Sequence, residues 1–159
     1  MPDFKQPVSI ILNDERATKD LANNFSEILN YAPIILFLRG DLGTGKTCFT
    51  RYLLEALGVK EKVKSPTYTL VETYAVDHNN IYHFDLYRAA DPRELETLGF
   101  RDYLQDYALI IIEWAENGHG CLPSADLEIA LEALDDGRKA SIMALTPKGI
   151  SVLQHVGNI

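Results

Sequence analysis

The chain has 159 residues, enough for one domain whose core withdraws roughly 70% of the unfolded surface from water. Apolar residues make up 47% and charged residues 24%, which argues against a disordered chain or a repeat array. A net charge of −8 argues against a broad basic surface that grips nucleic acid unaided, so any RNA contact needs a partner to supply phosphate-binding groups.

The first seven residues hold Asp3 and Lys5 and no apolar run of signal-peptide length. The longest apolar stretch, residues 32–38, is interrupted by Pro33 and is too short to cross a bilayer. A cytoplasmic protein without membrane attachment is expected. Cys48 and Cys121 form no C-x-x-C pair and read as reduced thiols. His78, His83, His119 and His155 lack zinc-ligand spacing with one another or with the cysteines, so no structural metal is expected.

Residues 8–12 form a short apolar run, an edge-strand candidate. Asn13 or Asp14 then caps a helix whose apolar positions Ala17, Leu21, Phe25, Ile28 and Leu29 recur every three or four residues. Residues 34–38 are continuously apolar, the pattern of a strand covered on both faces. A glycine loop follows, then a helix over residues 46–57 with Phe49, Leu53, Leu54 and Leu57 as its buried stripe and Gly58 as its stop. The loop 60–66 carries Lys60, Lys62 and Lys64. Residues 67–74 and 81–85 read as strands of a hairpin around Asp77-His78-Asn79-Asn80. Asp91-Pro92-Arg93-Glu94 has the cap, first-turn proline and glutamate of a helix start, and that short helix ends near Gly99. Residues 109–112 are the most apolar strand candidate and run straight into Glu113-Trp114. Two more strands, 127–133 and 140–145, join at Asp135-Asp136-Gly137, and a weak helix follows Pro147. Hairpins late in the chain predict a mixed rather than wholly parallel sheet, and no linker divides the molecule.

Gly40-Asp41-Leu42-Gly43-Thr44-Gly45-Lys46-Thr47 matches the full phosphate-loop pattern G-x-x-x-x-G-K-T. Its glycines let successive backbone N–H groups converge on phosphate oxygens, and the following helix points its positive end at the same anion. Lys46 adds a full charge at the β- and γ-phosphates, and the Thr47 hydroxyl is placed to bind magnesium. A buried strand before the loop and an amphipathic helix after it supply the context this motif requires. The prediction is a P-loop nucleotide hydrolase: a single domain over residues 1–159, α/β, a three-layer sandwich with a mixed, mostly parallel central sheet. ATP and magnesium are the expected cofactors.

Such enzymes place an acid at the end of a neighbouring apolar strand. Two positions compete. Glu113 follows a run with the look of a fully buried strand and is favoured as the magnesium residue. Asp85 follows Ile81-Tyr82-His83-Phe84, which alternates more and reads as half exposed; it either orients the attacking water or the ion, or merely caps a turn. Ser65-Pro66-Thr67 reads either as a loop sensing the γ-phosphate or as an ordinary turn. Trp114 lies either beside the nucleotide or in the core, and Cys48 reads as a small core residue. Arg138 either stacks on a purine or sits exposed at its turn, and the three lysines read as a solvated loop or a docking surface.

Absent signals narrow the field. No N-K-x-D or L-S-G-G-Q segment is present, and no arginine-rich lid of a small-molecule kinase stands out. The phosphate loop resembles that of the bacterial TsaE (formerly YjeE) proteins, and so do Val63-Lys64-Ser65-Pro66-Thr67-Tyr68-Thr69-Leu70-Val71-Glu72, Tyr82-His83-Phe84-Asp85-Leu86-Tyr87-Arg88 and Ile112-Glu113-Trp114. Asp91-Pro92-x-Glu94-Leu95-Glu96 and Gly99-x-Arg101-Asp102-Tyr103 extend the resemblance, which is strongest over residues 35–115. It implies an ATPase that supports threonylcarbamoylation of the adenosine beside the anticodon in tRNAs reading codons that start with A. The implied partners are TsaD, which transfers the group, and TsaB, with tRNA met only through that complex. Hydrolysis would reset the complex between turnovers and would be weak without the partners. Carried over by position, the resemblance implies Leu42, Gly43, Thr44, Gly45, Lys46 and Thr47 as the phosphate cradle, Asp41 as a further ATP-binding residue, and Thr47 and Glu113 as magnesium residues. It further implies Lys46, Asp85 and Glu113 as the catalytic set, with Glu15 and Arg138 near the adenine. Thr44 departs from the family's common alanine, a change tolerated if its side chain turns away from the phosphates. A small-molecule kinase and a non-catalytic nucleotide-sensing module are the alternatives.

Overall fold

The computed structural model describes residues 7–89, 91–118 and 120–156; His119, Asp3 and Lys5 lie outside them. Seven strands form one sheet: β1 (Val8–Leu12), β2 (Ile34–Arg39), β3 (Val71–Val76), β4 (Asn79–Asp85), β5 (Ala108–Glu113), β6 (Leu127–Leu134) and β7 (Gly137–Ala144). Among the described residues five α-helices accompany them: α1 (Glu15–Asn24), α2 (Lys46–Leu57), α3 (Glu94–Thr97), α4 (Phe100–Leu104) and α5 (Pro147–Val156). The strand order is β1-β7-β6-β2-β5-β4-β3. Strands β4, β5, β2 and β6 are parallel neighbours; β7 reverses against β6, β1 against β7, and β3 against β4. The mixed, mostly parallel sheet expected from the sequence is therefore observed.

Alternation along each strand sends side chains to two separate cores. On one face Ile34, Leu36 and Leu38 of β2 and Leu109 and Ile111 of β5 pack with Leu21 of α1, Phe49 and Leu53 of α2, and Val152 of α5. On the other face Ile110 and Ile112 pack with Phe84, Leu95 and Phe100. Helices on both faces complete the three layers. Every residue of β5 is buried, and each isoleucine in it contributes about 1.5–3 kcal/mol relative to an exposed position. Carrying the alternation forward sets the site: Ile81, His83 and Asp85 on β4, and Ile111 and Glu113 on β5, all face the α2 side.

Helix α2 starts and stops where predicted, with Gly58 at φ 102° closing it through bonds to Glu55 and Leu54 carbonyls. Four details differ from expectation. The first helix ends at Asn24, and Ile28 and Leu29 fall in a separate 3-10 turn, Ile28–Tyr31. Phe25 and Ile28 are still buried, so both arrangements satisfy the same apolar spacing. Strand β2 is not covered equally on both faces, since Ile35 and Phe37 remain partly exposed. The hairpin strand β3 begins at Val71 instead of residue 67, because Leu70, at φ 67°, turns its amide to the Pro66 carbonyl at 2.8 Å. Finally, β4 is not half exposed: all of residues 81–85 are buried. The cause is α4, a helix too short to show periodicity, whose Phe100 and Tyr103 lie edge-on to Phe84 with ring centroids 5.1 and 5.3 Å away.

Candidate functional site

The phosphate loop leaves the end of β2 and enters α2. Lys46, Thr47 and Cys48 are the first residues of that helix, so their amides have no intrahelical partner, and no side chain caps them. A 12-residue helix thus opens with free donors and a positive end, which favours a bound anion by about 0.3–1 kcal/mol, more where water is excluded. Thr44 turns inward: it is buried and its hydroxyl donates to the Asp41 carbonyl at 2.8 Å, away from the cavity. Lys46, only 6% exposed, donates from Nζ to the Gly40 carbonyl at 2.5 Å and lies 4.0 Å from the centroid of the Trp114 ring. Both contacts hold the ammonium over the loop.

Opposite the loop stand the two acids. In register, Leu38 at the end of β2 faces Glu113, and Glu113 faces Asp85, so the loop and both carboxylates occupy the ends of three adjacent parallel strands. A crevice outside the carboxyl ends of parallel strands is the general ligand position in open α/β sheets. The cavity here measures about 450 Å³, and Gly43, Lys46, Thr47, Asp85, Glu113 and Arg138 are among the residues that line it. Asp85 is 9% exposed, and its Oδ1 accepts the Tyr87 amide at 3.0 Å, leaving Oδ2 for the cavity. Burial raises the Asp85 pKa, Glu113 adds to the rise by like-charge repulsion, and the Tyr87 amide, His83 and Lys46 oppose it. Glu113, 3% exposed, is anchored at Oε2 by His83 Nε2 at 2.7 Å, leaving Oε1.

Arg138 lines one end of the cavity and, with Glu15, borders a second hollow. Leu12 pairs with Arg138 across β1 and β7, and a hollow of about 250 Å³ lies between Glu15 and Arg138. A Cβ on Gly45 would come within 2.1 Å of Arg138 Nη1, so the guanidinium lies directly on the loop. The Glu15 carboxylate accepts from Tyr52 Oη at 2.5 Å and Arg51 Nη2 at 3.1 Å. The Tyr52 hydroxyl above all, helped by Cys48, Arg51 and Arg138, holds its pKa below the ordinary value against the opposing effect of desolvation. Cys48 is a wall residue here, 3.7 Å from Glu15, and not the core residue its sequence position suggested.

The sequence of this site and its frame match a known family over most of their length. The pattern of the family described as threonylcarbamoyl adenosine biosynthesis protein TsaE covers residues 12–140. The chain belongs to the TsaE family. A tRNA threonylcarbamoyladenosine biosynthesis protein TsaE of Haemophilus influenzae is 44% identical over 149 residues, spanning 91% of this chain and 94% of the relative. The Bacillus subtilis protein of the same name is 38% identical over 112 residues, 70% of each chain. Among solved structures, the crystal structure of YdiB from Bacillus subtilis gives a TM-score of 0.79 at 27% identity, covering 95% of this chain and 94% of that one.

Within this TsaE-family frame, Leu42, Gly43, Gly45, Lys46, Thr47, Asp85, Glu113 and Arg138 line one cavity, while Asp41 and Thr44 belong to the loop's outer side and Glu15 to the smaller hollow it shares with Arg138. Ser65 and Thr67 also line the cavity, with their hydroxyls 2.6 Å apart. Trp114, at φ 58°, lies over Lys46 at the cavity wall, packs against Tyr87 with centroids 5.0 Å apart, and also borders the second core. Lys60, Lys62 and Lys64 are exposed. Sequence reasoning assigned nothing to Tyr87, Arg88 or His83. For His83 a signal existed: it stands two residues before Asp85 on a strand and therefore shares its face.

Proposed function

We propose that this chain is a magnesium-dependent ATPase that supports formation of threonylcarbamoyladenosine in tRNA, working with TsaD and TsaB by coupling hydrolysis to turnover of their complex. The carrying observation is the meeting of an uncapped phosphate loop with two buried carboxylates at the ends of three adjacent strands. The residues fit the group: the Thr47 hydroxyl and Glu113 Oε1 are hard oxygen donors, the kind magnesium takes beside phosphate oxygens. Magnesium, when bound, supplies neutralisation of charge developing between the β- and γ-phosphates.

The chain's own groups do the rest. Loop and helix amides bind the phosphate oxygens, and Lys46 exchanges the Gly40 carbonyl for a phosphate. Glu113 and Thr47 hold the ion. Asp85, fixed at Oδ1, offers Oδ2 to orient the attacking water and take its proton, and a raised pKa suits a group that must accept one. Arg138 and Glu15 bracket the base end. The family membership and the name of the Haemophilus influenzae relative support the tRNA role.

The test is reconstitution of tRNA modification with TsaB, TsaD and their substrates, with and without this chain. Slow ATP turnover by the isolated chain, stimulated by the TsaB–TsaD pair and absent in Lys46→Ala, is expected. Fast turnover indifferent to the pair, or full modification with Lys46→Ala, would refute the proposal.

A further inference from the structure

Glu113 and His83 form a buried pair, and His83 has none of the roles assigned above. His83 is 1% exposed, its Nε2 lies 2.7 Å from Glu113 Oε2, and its Nδ1 meets no polar partner among the described residues. Polar side chains this deeply buried are almost always hydrogen-bonded, and the bond made shows what the side chain is there to do. The strand register explains how the pair forms. His83 faces Ile111 while Asp85 faces Glu113, so the imidazole sits one step behind the row of acids, on their face of the sheet.

Ring chemistry then assigns the hydrogen. An ionised carboxylate only accepts, so Nε2 carries the hydrogen and donates it. In the neutral ring the single hydrogen is then on Nε2 and not on Nδ1. With Oε2 taken, Oε1 is the oxygen left for the cavity.

We propose that His83 is the positioning residue of the metal ligand, a role that rests on the reading of the cavity as a magnesium–nucleotide site. Its Nε2–H fixes the Glu113 carboxylate so that Oε1 is presented to a divalent cation. The imidazole touches neither nucleotide nor ion. Its effect is on metal affinity rather than on phosphate binding, which belongs to the loop amides and Lys46.

Side-chain reach supplies the test. Glutamine places its amide nitrogen the same number of bonds from the backbone as Nε2, whereas asparagine stops at the level of Nδ1. We would compare His83→Gln, His83→Asn and His83→Leu by ADP binding in EDTA and by Mn²⁺ binding with ADP saturating, read by electron paramagnetic resonance. Loss of a partner that orients a metal ligand weakens metal binding by about 10- to 100-fold, which is expected for His83→Asn and His83→Leu. Their ADP binding in EDTA should stay within about twofold of wild type, and His83→Gln should recover most of the Mn²⁺ affinity. Nitrogen NMR of the wild-type chain, which needs no variant to fold, should find the hydrogen on Nε2.

A ring with its hydrogen on Nδ1 and none on Nε2, a glutamine variant no better than asparagine, or parallel loss of ADP and Mn²⁺ binding would overturn the role of His83 alone. A wild-type chain that binds ADP no better with Mn²⁺ than without it would overturn the reading of the site as well.

Discussion

Asp85→Asn should make the nucleotide-free protein more stable and less active. Asp85 is 9% exposed, its pKa is raised first by burial and then by Glu113 beside it, and its ionised form is therefore disfavoured in the folded chain. Asparagine keeps the shape and can still accept the Tyr87 amide, now 3.0 Å from Oδ1. That bond loses its charge, a loss of about 0.5–1 kcal/mol. Removing a buried charge and its repulsion from Glu113 outweighs this, for a net gain of about 1 kcal/mol, or roughly 2–4 °C in Tm. The sign with pH follows from a folded-state pKa above the unfolded one. Well below the ordinary carboxylate value Asp85 is protonated in both states, and variant and wild type should match. The advantage of asparagine grows as pH rises from that value through the raised one, then levels off. Urea melts in EDTA at about pH 4 and about pH 7.5 would read it, with magnesium-dependent turnover lost in the same variant. A variant less stable at neutral pH, or a gain identical at both pH values, would refute the reasoning.

Three further outcomes are expected. Gly40→Ala should cost more than Gly43→Ala in thermal melts and ADP affinity. At φ 146° a Cβ on Gly40 would lie 2.5 Å from both the Leu131 carbonyl and the Thr44 hydroxyl, while one on Gly43, at φ 79°, meets nothing within 4 Å. The second change should then cost only the left-handed backbone, about 1–2 kcal/mol, and equal losses would contradict the geometry. Lys46→Ala should weaken ADP by the worth of a charge-assisted hydrogen bond, about 1.5–3 kcal/mol or ten- to a hundredfold, in a fluorescence titration. Glu113→Ala should weaken Mn²⁺ binding to the ADP-saturated protein more than Asp85→Ala does, read by electron paramagnetic resonance, and the reverse order would assign the ion to β4.

What the sequence disclosed well was local. Helix α2 could be bounded because its start is a motif, its stripe is periodic, and Gly58 ends it within the same few residues. Strand β5 was plain from four consecutive apolar residues. The two acids were another matter. In the sequence Asp85 and Glu113 are rivals for one role, because nothing local says that their strands are neighbours. The register makes them partners, facing each other directly across β4 and β5. The misjudged exposure of β4 has a similar origin. Its cover comes from Phe100 and Tyr103 on a five-residue helix, too short to announce itself. His83 was half legible, since strand alternation gives its face but not the partner on β5.

The antiparallel strands bear on the site as much as the parallel ones. Parallel strands bring only their carboxyl ends to the crevice, which accounts for the loop, Asp85 and Glu113. Arg138 is the second residue of its strand, and in a parallel strand it would lie at the opposite edge of the sheet. Because β7 reverses against β6 after a tight turn, its beginning lies beside the phosphate loop instead. Strand β1 reverses again, so its end at Leu12 pairs with Arg138 and the chain enters α1 at Glu15 on that same edge. The missing side chain of Gly45 then leaves room for the guanidinium, 2.1 Å from where a Cβ would stand. Strand direction alone therefore gathers residues 15, 40–47, 85, 113 and 138 at one edge. Reversing the β6–β7 turn geometry would remove Arg138 from the cavity without touching the loop.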